Sequence, residues 1–490
     1  MIKNKLFIRL LLAAAFIIPL SISLTSLILG RIPFWYDPAR DMILALGNHQ
    51  KLSLIGQASG IPGIFYGPYW IWAISIVLLI SKDPRMVSFV LLTIPYFVLF
   101  PFMLYKFRKT LGDLIPVILW LFFILSFNAY SVQIWNPNPA PLLCLAIIYL
   151  LVTNEYLSNS RRNIIKLFAA GIFGGLLLNI HISFGLSVII GSILYLLIFK
   201  RLKPLIIFSS GFIVLFIPFF LFEFRHGFNQ INTLFKTITS ASSVVRESSV
   251  DKLQIVELFT KRFSMLVNLP VFFSNILGGL IVFALAISRF KKKIEFSLVE
   301  RNILVVISTI SIALISIYLS TKNPVWEYHF IGVEILFMLF LGIAARKFVV
   351  LKYFMLFGVI LLTMLSIVKL SREFYLDPYK ISSLATKEHI AKTIYDDIGN
   401  DKFSVYIFSP ATYTPDFDYL LMWEGEKRIK KNMIIDRNSK FAYLIIPWTT
   451  DDLRADFIDN RTPNAKYKTI KSWHIADETL IIKRGRYEIK

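Results

Sequence analysis

Long apolar runs follow one another over the first three quarters of this 490-residue chain and constrain its fold more than any other feature. A helix needs about 20 mostly apolar residues to cross the 30 Å core of a bilayer, and many of the runs approach that length. With 56% hydrophobic residues and a mean hydropathy of +0.64, the chain carries more apolar sequence than a soluble core requires. The pattern predicts a polytopic α-helical membrane protein with about 11–13 spanning helices.

The first of these runs ends at Leu29 and follows three basic residues, Lys3, Lys5 and Arg9. It is too long for a signal peptide and lacks a small-residue cleavage site, so we interpret it as a spanning helix with a cytoplasmic N-terminus. The remaining predicted segments lie at 68–81, 86–105, 114–130, 140–154, 164–182, 184–199, 204–222, 264–289, 302–320, 328–345 and 348–370.

The net charge of +22 would suggest a nucleic-acid partner in a soluble protein, but its distribution excludes that interpretation. Residues 371–490 carry 20 basic and 18 acidic side chains, which leaves 33 basic and 13 acidic ones in the first 370. The excess therefore belongs to the membrane part, as cytoplasmic loops require. The single cysteine, Cys144, allows no internal disulfide and says nothing about compartment.

Basic clusters between the apolar segments predict which ends face the cytoplasm. By this rule the turns near Trp135, His181, Arg225 and Lys322 to His329 lie on the outer side, as does the tail after residue 370. One conflict remains. The N-terminus and the cluster at 106–109 are both predicted to be cytoplasmic, which requires an even number of crossings, but three segments separate them. Either one segment is re-entrant or interfacial, with 68–81 the weakest candidate, or that cluster breaks the rule. The clusters are Lys106/Arg108/Lys109, Arg161/Arg162/Lys166, Lys200/Arg201/Lys203, Arg289/Lys291/Lys292/Lys293 and Arg346/Lys347.

Two parts of the chain fall outside the spanning pattern. Residues 225–262 are rich in Ser, Thr and Asn and are predicted to form a long outer loop. Residues 371–490 predict a small extracytoplasmic α/β domain after a membrane domain of residues 1–370. Its expected elements are a helix near 381–398, strands at Phe403 to Ser409 and Phe441 to Trp448, and a hairpin over 467–484.

The first outer loop, residues 30–67, concentrates carboxylates where they are scarce. If Pro38 opens a helix, Asp37 lies near its N-terminus, Asp41 lies one turn later, and Arg40 can pair with either. The structural interpretation is an Asp N-cap followed by a first-turn proline, with Gly47 ending the helix. The functional interpretation makes Asp37 and Asp41 candidate catalytic bases, and the two do not exclude each other because a capping Asp can also be catalytic.

Further polar residues of the outer turns are candidate substrate ligands. Carboxylates can accept a proton, Arg can hold a phosphate in bidentate fashion and His can donate to it, which suits a phosphate-linked substrate. For Arg225 and His226 the alternative is an interfacial snorkelling pair, and for His181 it is a satisfied polar group at a helix break. The six histidines lack metal-ligand spacing, and no metal or cofactor is expected. The candidate substrate-binding residues are Arg40, His49, Tyr66, Arg225, His226 and His329.

Taken together, the charged N-terminus, single helix, outer Asp-x-x-Arg, Gly-Pro-Tyr and extracytoplasmic tail resemble bacterial relatives of the protein O-mannosyltransferases. These family 39-like enzymes, which include aminoarabinose transferases, have the GT-C fold and use polyprenyl-phosphate-linked sugars. In that family the loop usually shows Asp-Glu with an Arg shortly after, and the Asp is the base. Here Asp37 and Arg40 match, whereas Pro38 replaces the Glu. Aminoarabinose transferases also have Lys-Pro-Pro before the second segment; this chain has Gly67-Pro68, which leaves Arg225 as the candidate for the donor phosphate.

The resemblance implies an acceptor hydroxyl that attacks the anomeric carbon of a lipid-phosphate sugar at the outer face of the plasma or inner membrane. The partners it implies are the polyprenyl-phosphate donor, membrane lipid and an acceptor glycan, lipid or protein.

The alternatives are a transporter or flippase without covalent chemistry, and an assembly subunit. A transporter would place ionisable residues near the midplane in two related halves, but these carboxylates cluster at segment ends and the halves show no similarity. The absence of a P-loop argues against a nucleotide-driven pump.

Overall fold

A computed structural model describes twelve stretches of the chain and places an α-helical bundle beside a small α/β domain. Some predicted features fall outside these stretches, among them Lys200, Arg201, residues 322–324 and Trp448. The described residues are 2–60, 62–153, 160–199, 202–239, 252–320, 325–375, 383–399, 401–409, 414–429, 439–447, 449–475 and 479–487.

The bundle is built from helices that coincide with the apolar segments. The stretch Pro84–Tyr105 is one continuous helix whose middle has two π-helical turns, Phe89–Thr93 and Pro95–Leu99. The helices of the first half are α1 (Ile2–Ile28), α2 (Tyr36–Gly47), α3 (Tyr69–Leu78), α4 (Pro84–Ser88), α5 (Phe100–Tyr105), α6 (Arg108–Leu111), α7 (Leu114–Ser126), α8 (Ala140–Val152), α9 (Arg161–Ile180) and α10 (Ile182–Ile198).

Helices of the second half complete the bundle, and short 3₁₀ turns lie at Asn128–Ser131 and Glu327–Phe330. Within the described residues, five helices are long and apolar enough to cross a bilayer, or six if α11 and α12, bent by 53°, form one span. Shorter apolar helices lie in five of the other predicted segments, and the helix Val333–Lys347 lies in the segment predicted at 328–345. The second-half helices are α11 (Leu202–Val214), α12 (Ile217–Arg225), α13 (Asn229–Thr239), α14 (Lys252–Val267), α15 (Val271–Phe290), α16 (Leu298–Ser320), α17 (Val333–Lys347) and α18 (Val349–Tyr375).

The weak segment at 68–81 contains a helix that is too short to cross a bilayer. Its helix α3 has ten residues, so at 1.5 Å per residue it is about 15 Å long, half of a bilayer core. Backbone atoms before and after it, at Gly30 and Lys82, both contact the C-terminal domain: Ala385 N donates to Gly30 O at 2.9 Å and Tyr419 OH to Lys82 O at 2.5 Å. Residues before and after α3 therefore contact the same domain, which favours an interfacial or re-entrant position for this segment.

The predicted long loop at 225–262 is wrong in its central feature, because it contains helix α13 and most of α14. Its many polar residues suggested a loop, yet apolar residues recur at helical spacing. In α14, Ile255, Phe263 and Leu266 are buried. The same correction divides the segment predicted at 264–289, since α14 ends at Val267 and α15 begins at Val271.

The C-terminal domain has the α/β composition that the tail predicts. A four-stranded sheet in the order β1-β2-β4-β3 has β1 and β2 parallel and its other two pairs antiparallel. The predicted helix, both predicted strands and the terminal hairpin are confirmed. The elements are α19 (Leu384–Ile398), β1 (Phe403–Ile407), α20 (Pro415–Ile429), β2 (Phe441–Ile446), α21 (Asp451–Arg461), β3 (Tyr467–Ile475) and β4 (Thr479–Arg486).

Candidate active site

Helix α2 carries the paired carboxylates, but it begins two residues earlier than the sequence suggested. Trp35 is the N-cap and makes no side-chain capping bond, so the prediction of Asp37 as the cap is wrong. Asp37 lies inside the first turn, where a negative charge favours the positive end of the helix dipole. The helix does end at Gly47, as predicted.

Arg40 pairs with both carboxylates, as the spacing predicts. Its Nη1 lies 2.9 Å from Asp37 Oδ1, and its Nε and Nη2 donate to Asp41 Oδ1 at 2.9 and 2.7 Å. Trp70 Nε1 donates to the other oxygen of Asp41 at 2.9 Å. Burial raises the pKa of Asp41 to about 6, while Arg40 opposes that rise.

Exposure distinguishes the two carboxylates. The Asp37 side chain is 30% exposed, whereas that of Asp41 is 0% exposed and has Arg40 and Trp70 as partners. A general base must come within hydrogen-bond reach of the proton that it accepts. Asp37 can do so, and Asp41 is placed to fix the orientation of Arg40.

Tyr66 lies beside this pair at the end of a hairpin-like loop. Gly56 N donates to Tyr66 O at 2.8 Å, and Tyr66 N donates to Gln57 O at 2.9 Å. Burial raises the pKa of Tyr66 to about 12, and the charge of Asp37 adds to the rise while Arg40 opposes it. The phenol is therefore a neutral hydrogen-bond donor next to the carboxylates.

The close packing around Gly67 explains why this loop has no lysine at that position. A Cβ at this position would lie 1.5 Å from Asn179 Oδ1, which belongs to the last turn of α9. The backbone oxygen of Gly67 would in turn lie 2.4 Å from a Cβ at Gly56. The two glycines therefore let the loop pack against itself and against α9.

Aromatic side chains extend the site toward the 3₁₀ turn at Glu327–Phe330. The ring of Trp135 lies 6.1 Å from that of Trp35 and 5.5 Å from that of Tyr328. The Tyr328 ring is 4.2 Å from that of His329, and the Asp37 charge acts on the Tyr328 phenol. Two of the turns that the sequence assigned to one face, those of Trp135 and Tyr328, therefore lie beside the start of α2.

His329 is neutral at physiological pH, because burial lowers its pKa to about 4. Its Nδ1 accepts a hydrogen bond from the backbone of Trp326 at 3.2 Å. The proton of the neutral ring therefore lies on Nε2, which makes His329 a hydrogen-bond donor without charge.

A buried ion pair that the sequence did not indicate holds this turn. Arg262 Nη1 lies 3.3 Å from Glu334 Oε1 and donates to Tyr130 OH at 3.0 Å, while Tyr130 OH donates to the same carboxylate at 2.9 Å. Arg262 also donates to the backbone oxygen of Glu327, which begins the turn. A carboxylate in an otherwise apolar segment was the available signal, since such a group requires a partner.

Three predicted ligands lie apart from the carboxylate pair. His49 follows the far end of α2, twelve residues or about 18 Å from Asp37, and its Nε2 bonds the backbone oxygen of Ser75 at 2.9 Å. Arg225 and His226 are exposed at the end of α12, and His226 stacks on Phe222 at 4.0 Å. The described contacts join none of the three to Asp37.

The last polar candidate of the predicted outer turns is His181. His181 lies at the predicted break between α9 and α10, and its buried Nε2 has no hydrogen-bond partner among the described residues. Over the same stretches of chain, no three His, Cys, Asp or Glu side chains are grouped as metal ligands.

The chain matches no protein-family model and no curated protein. Its structure is similar to the crystal structure of ArnT from Cupriavidus metallidurans bound to undecaprenyl phosphate, with a TM-score of 0.59. The alignment covers 97% of this chain and 98% of ArnT at 10% sequence identity. The likeness confirms the predicted fold, a GT-C-like polytopic helical membrane protein with a small C-terminal α/β domain.

Proposed function

We propose that this protein is an integral-membrane glycosyltransferase that moves a sugar from a polyprenyl-phosphate donor to an acceptor at the outer face of the membrane. The observation that carries the proposal is the position of Asp37. It is the more exposed carboxylate of the pair held by Arg40, and it lies where the first outer loop meets the aromatic residues Trp135 and Tyr328. The polyprenyl phosphate in the ArnT structure supports the donor class.

In the proposed reaction an acceptor hydroxyl attacks the anomeric carbon of the donor. The new glycosidic C–O bond forms as the bond between that carbon and the phosphate oxygen breaks, and the phosphate leaves with the electron pair. Asp37 accepts the hydroxyl proton as general base. Arg40 holds the Asp37 carboxylate from one side and is itself held by Asp41, so that the other carboxylate oxygen can face the acceptor.

Neutral donors near Asp37 suit the departing phosphate. Tyr66 and His329 supply an O–H and an Nε2–H without adding charge, and hydrogen bonds aimed at developing negative charge lower the barrier. Arg225 is the proposed cation. Its side chain is exposed, five residues before Gln230, whose Oε1 accepts from the backbone of Phe65 at 2.8 Å, next to Tyr66.

The proposed location is the plasma or inner membrane, with the C-terminal domain outside the cytoplasm. The basic clusters support this orientation, because basic residues between spanning segments favour the cytoplasmic face. A single cysteine at Asp451, which is 94% exposed, in a Cys144→Ala protein tests it. Labelling of intact cells by a membrane-impermeant maleimide supports the orientation, and labelling only after permeabilisation contradicts it.

A transfer assay distinguishes the enzyme from a transporter or assembly subunit. Purified protein in detergent is incubated with undecaprenyl-phosphate-linked hexoses and pentoses, and release of undecaprenyl phosphate is measured. Release that depends on Asp37 supports the proposal. Movement of the intact donor across a vesicle bilayer without bond cleavage favours the transporter, and neither activity favours the assembly subunit.

A further inference from the structure

The C-terminal domain meets the membrane domain directly before the proposed base. We define the domain junction as residues 30–34 and 383–387. Across it, Leu384 N donates to Ile32 O at 3.0 Å and Ala385 N donates to Gly30 O at 2.9 Å, while Pro33 and Ser383 form an antiparallel bridge. The junction therefore adds a short extended segment to the start of α19.

One side chain completes the junction. Lys387 Nζ donates to the backbone oxygen of Phe34 at 2.7 Å and pairs with Asp416, and its side chain is 6% exposed. An ammonium group is seldom buried to this extent without partners, and here it has two. The Phe34 ring is fully buried and lies 6.0 Å from that of Tyr419 in α20.

Phe34 is three residues before Asp37, and helix α2 has no side-chain cap of its own at Trp35. The first turn of a helix leaves backbone donors without partners, and a capping side chain normally fixes the position of that turn. In this chain the Lys387 side chain contacts the backbone of Phe34, the residue immediately before the N-cap.

We propose that Lys387 is a positioning residue for Asp37, acting from the C-terminal domain through the Phe34 carbonyl. The inference rests on the proposed function. It assigns the C-terminal domain a part in the transfer step, since a shift of about 1 Å in a reacting group can cost a factor of about 100 in rate.

The test is a kinetic cycle on the full-length protein in detergent. Lys387→Met keeps the length of the side chain and removes its donors, so kcat should fall about 10- to 100-fold while KM for the donor changes by less than about 3-fold. Lys387→Arg, which retains charge and donors, should restore part of the rate. Lys468→Met, at an exposed lysine on β3, is the matched control and should keep the wild-type kcat.

The double variant Asp37→Asn/Lys387→Met decides whether Lys387 acts through Asp37. If it does, Lys387→Met causes less than about a 3-fold further loss once Asp37 is absent. A full 10- to 100-fold loss in both backgrounds, or a wild-type kcat in Lys387→Met alone, overturns the inference. If Asp37→Asn itself transfers normally, the proposed role of Asp37 as the base fails instead. Should Lys387→Met not fold, Lys387→Gln, which keeps an amide donor on a shorter side chain, takes its place in the same cycle.

Discussion

The buried pair of Arg262 and Glu334 gives a quantitative prediction for the architecture behind the site. Their side chains are 4% and 0% exposed, so Arg262→Met removes the paired cation and leaves the buried carboxylate with neutral donors such as Tyr130 and the Gly332 backbone. Loss of one partner of such a pair costs about 3–5 kcal/mol of unfolding free energy. Replacing both partners with apolar residues of similar volume removes the unpaired charge, so Arg262→Met/Glu334→Leu should recover more than half of that loss.

An adjacent pair provides the matched control. Lys261 precedes Arg262 in α14 and bonds Glu327 at 2.6 Å, but these side chains are 42% and 39% exposed. Lys261→Met should therefore cost no more than about 1 kcal/mol. Unfolding in a mixed-micelle SDS titration, followed by tryptophan fluorescence, measures all of these free energies. Additive losses in the double variant, or equal losses for Arg262→Met and Lys261→Met, would refute the reasoning.

Three further predictions concern the loop and its ligands. Burial raises the pKa of Asp41 to about 6, so between about pH 4 and 6 the folded state binds a proton that the unfolded state does not. The unfolding free energy should therefore fall as pH rises through this window. Denaturation measured at several pH values should show this slope in the wild type and its loss in Asp41→Asn. Gly67→Val should lower stability by about 1–3 kcal/mol in the SDS titration, because its side chain overlaps Asn179; an unchanged midpoint would contradict that packing. Arg225→Ala should weaken donor binding in calorimetry more than Arg225→Lys, since lysine keeps the charge and loses the planar fork; unchanged affinity in the alanine variant leaves Arg225 as a snorkelling side chain.

Features set by short-range spacing or by bilayer thickness were predictable from the sequence. The apolar segments followed from the length that a spanning helix needs, and the four-residue spacing of Asp37 and Asp41 around Arg40 followed from helix geometry. The strands β1 and β2 of the tail are short runs rich in β-branched and aromatic residues, which is typical of strands. Each of these signals lies within one element.

Features set by contacts between distant elements were not predictable. The start of α2 at Tyr36 depends on its tertiary setting, and Lys387 contacts Phe34 across more than 350 residues of sequence. Arg262 and Glu334 are likewise far apart in the chain. His49 looked like a site residue because it is near Asp37 in sequence, but the helix between them carries it away.

The measurement that tests the central claim most directly is sugar transfer by Asp37→Asn. Asp37 is not the N-cap of α2, and its ion pair with Arg40 is partly exposed, so loss of the charge should cost no more than about 1 kcal/mol of stability. The amide cannot accept the acceptor proton as a carboxylate does. We predict that kcat falls by about 10²- to 10⁴-fold with little change in donor affinity, whereas Asp41→Asn loses less. Near-wild-type transfer by a folded Asp37→Asn protein would contradict the role of Asp37, and full loss in Asp41→Asn alone would assign the base to Asp41.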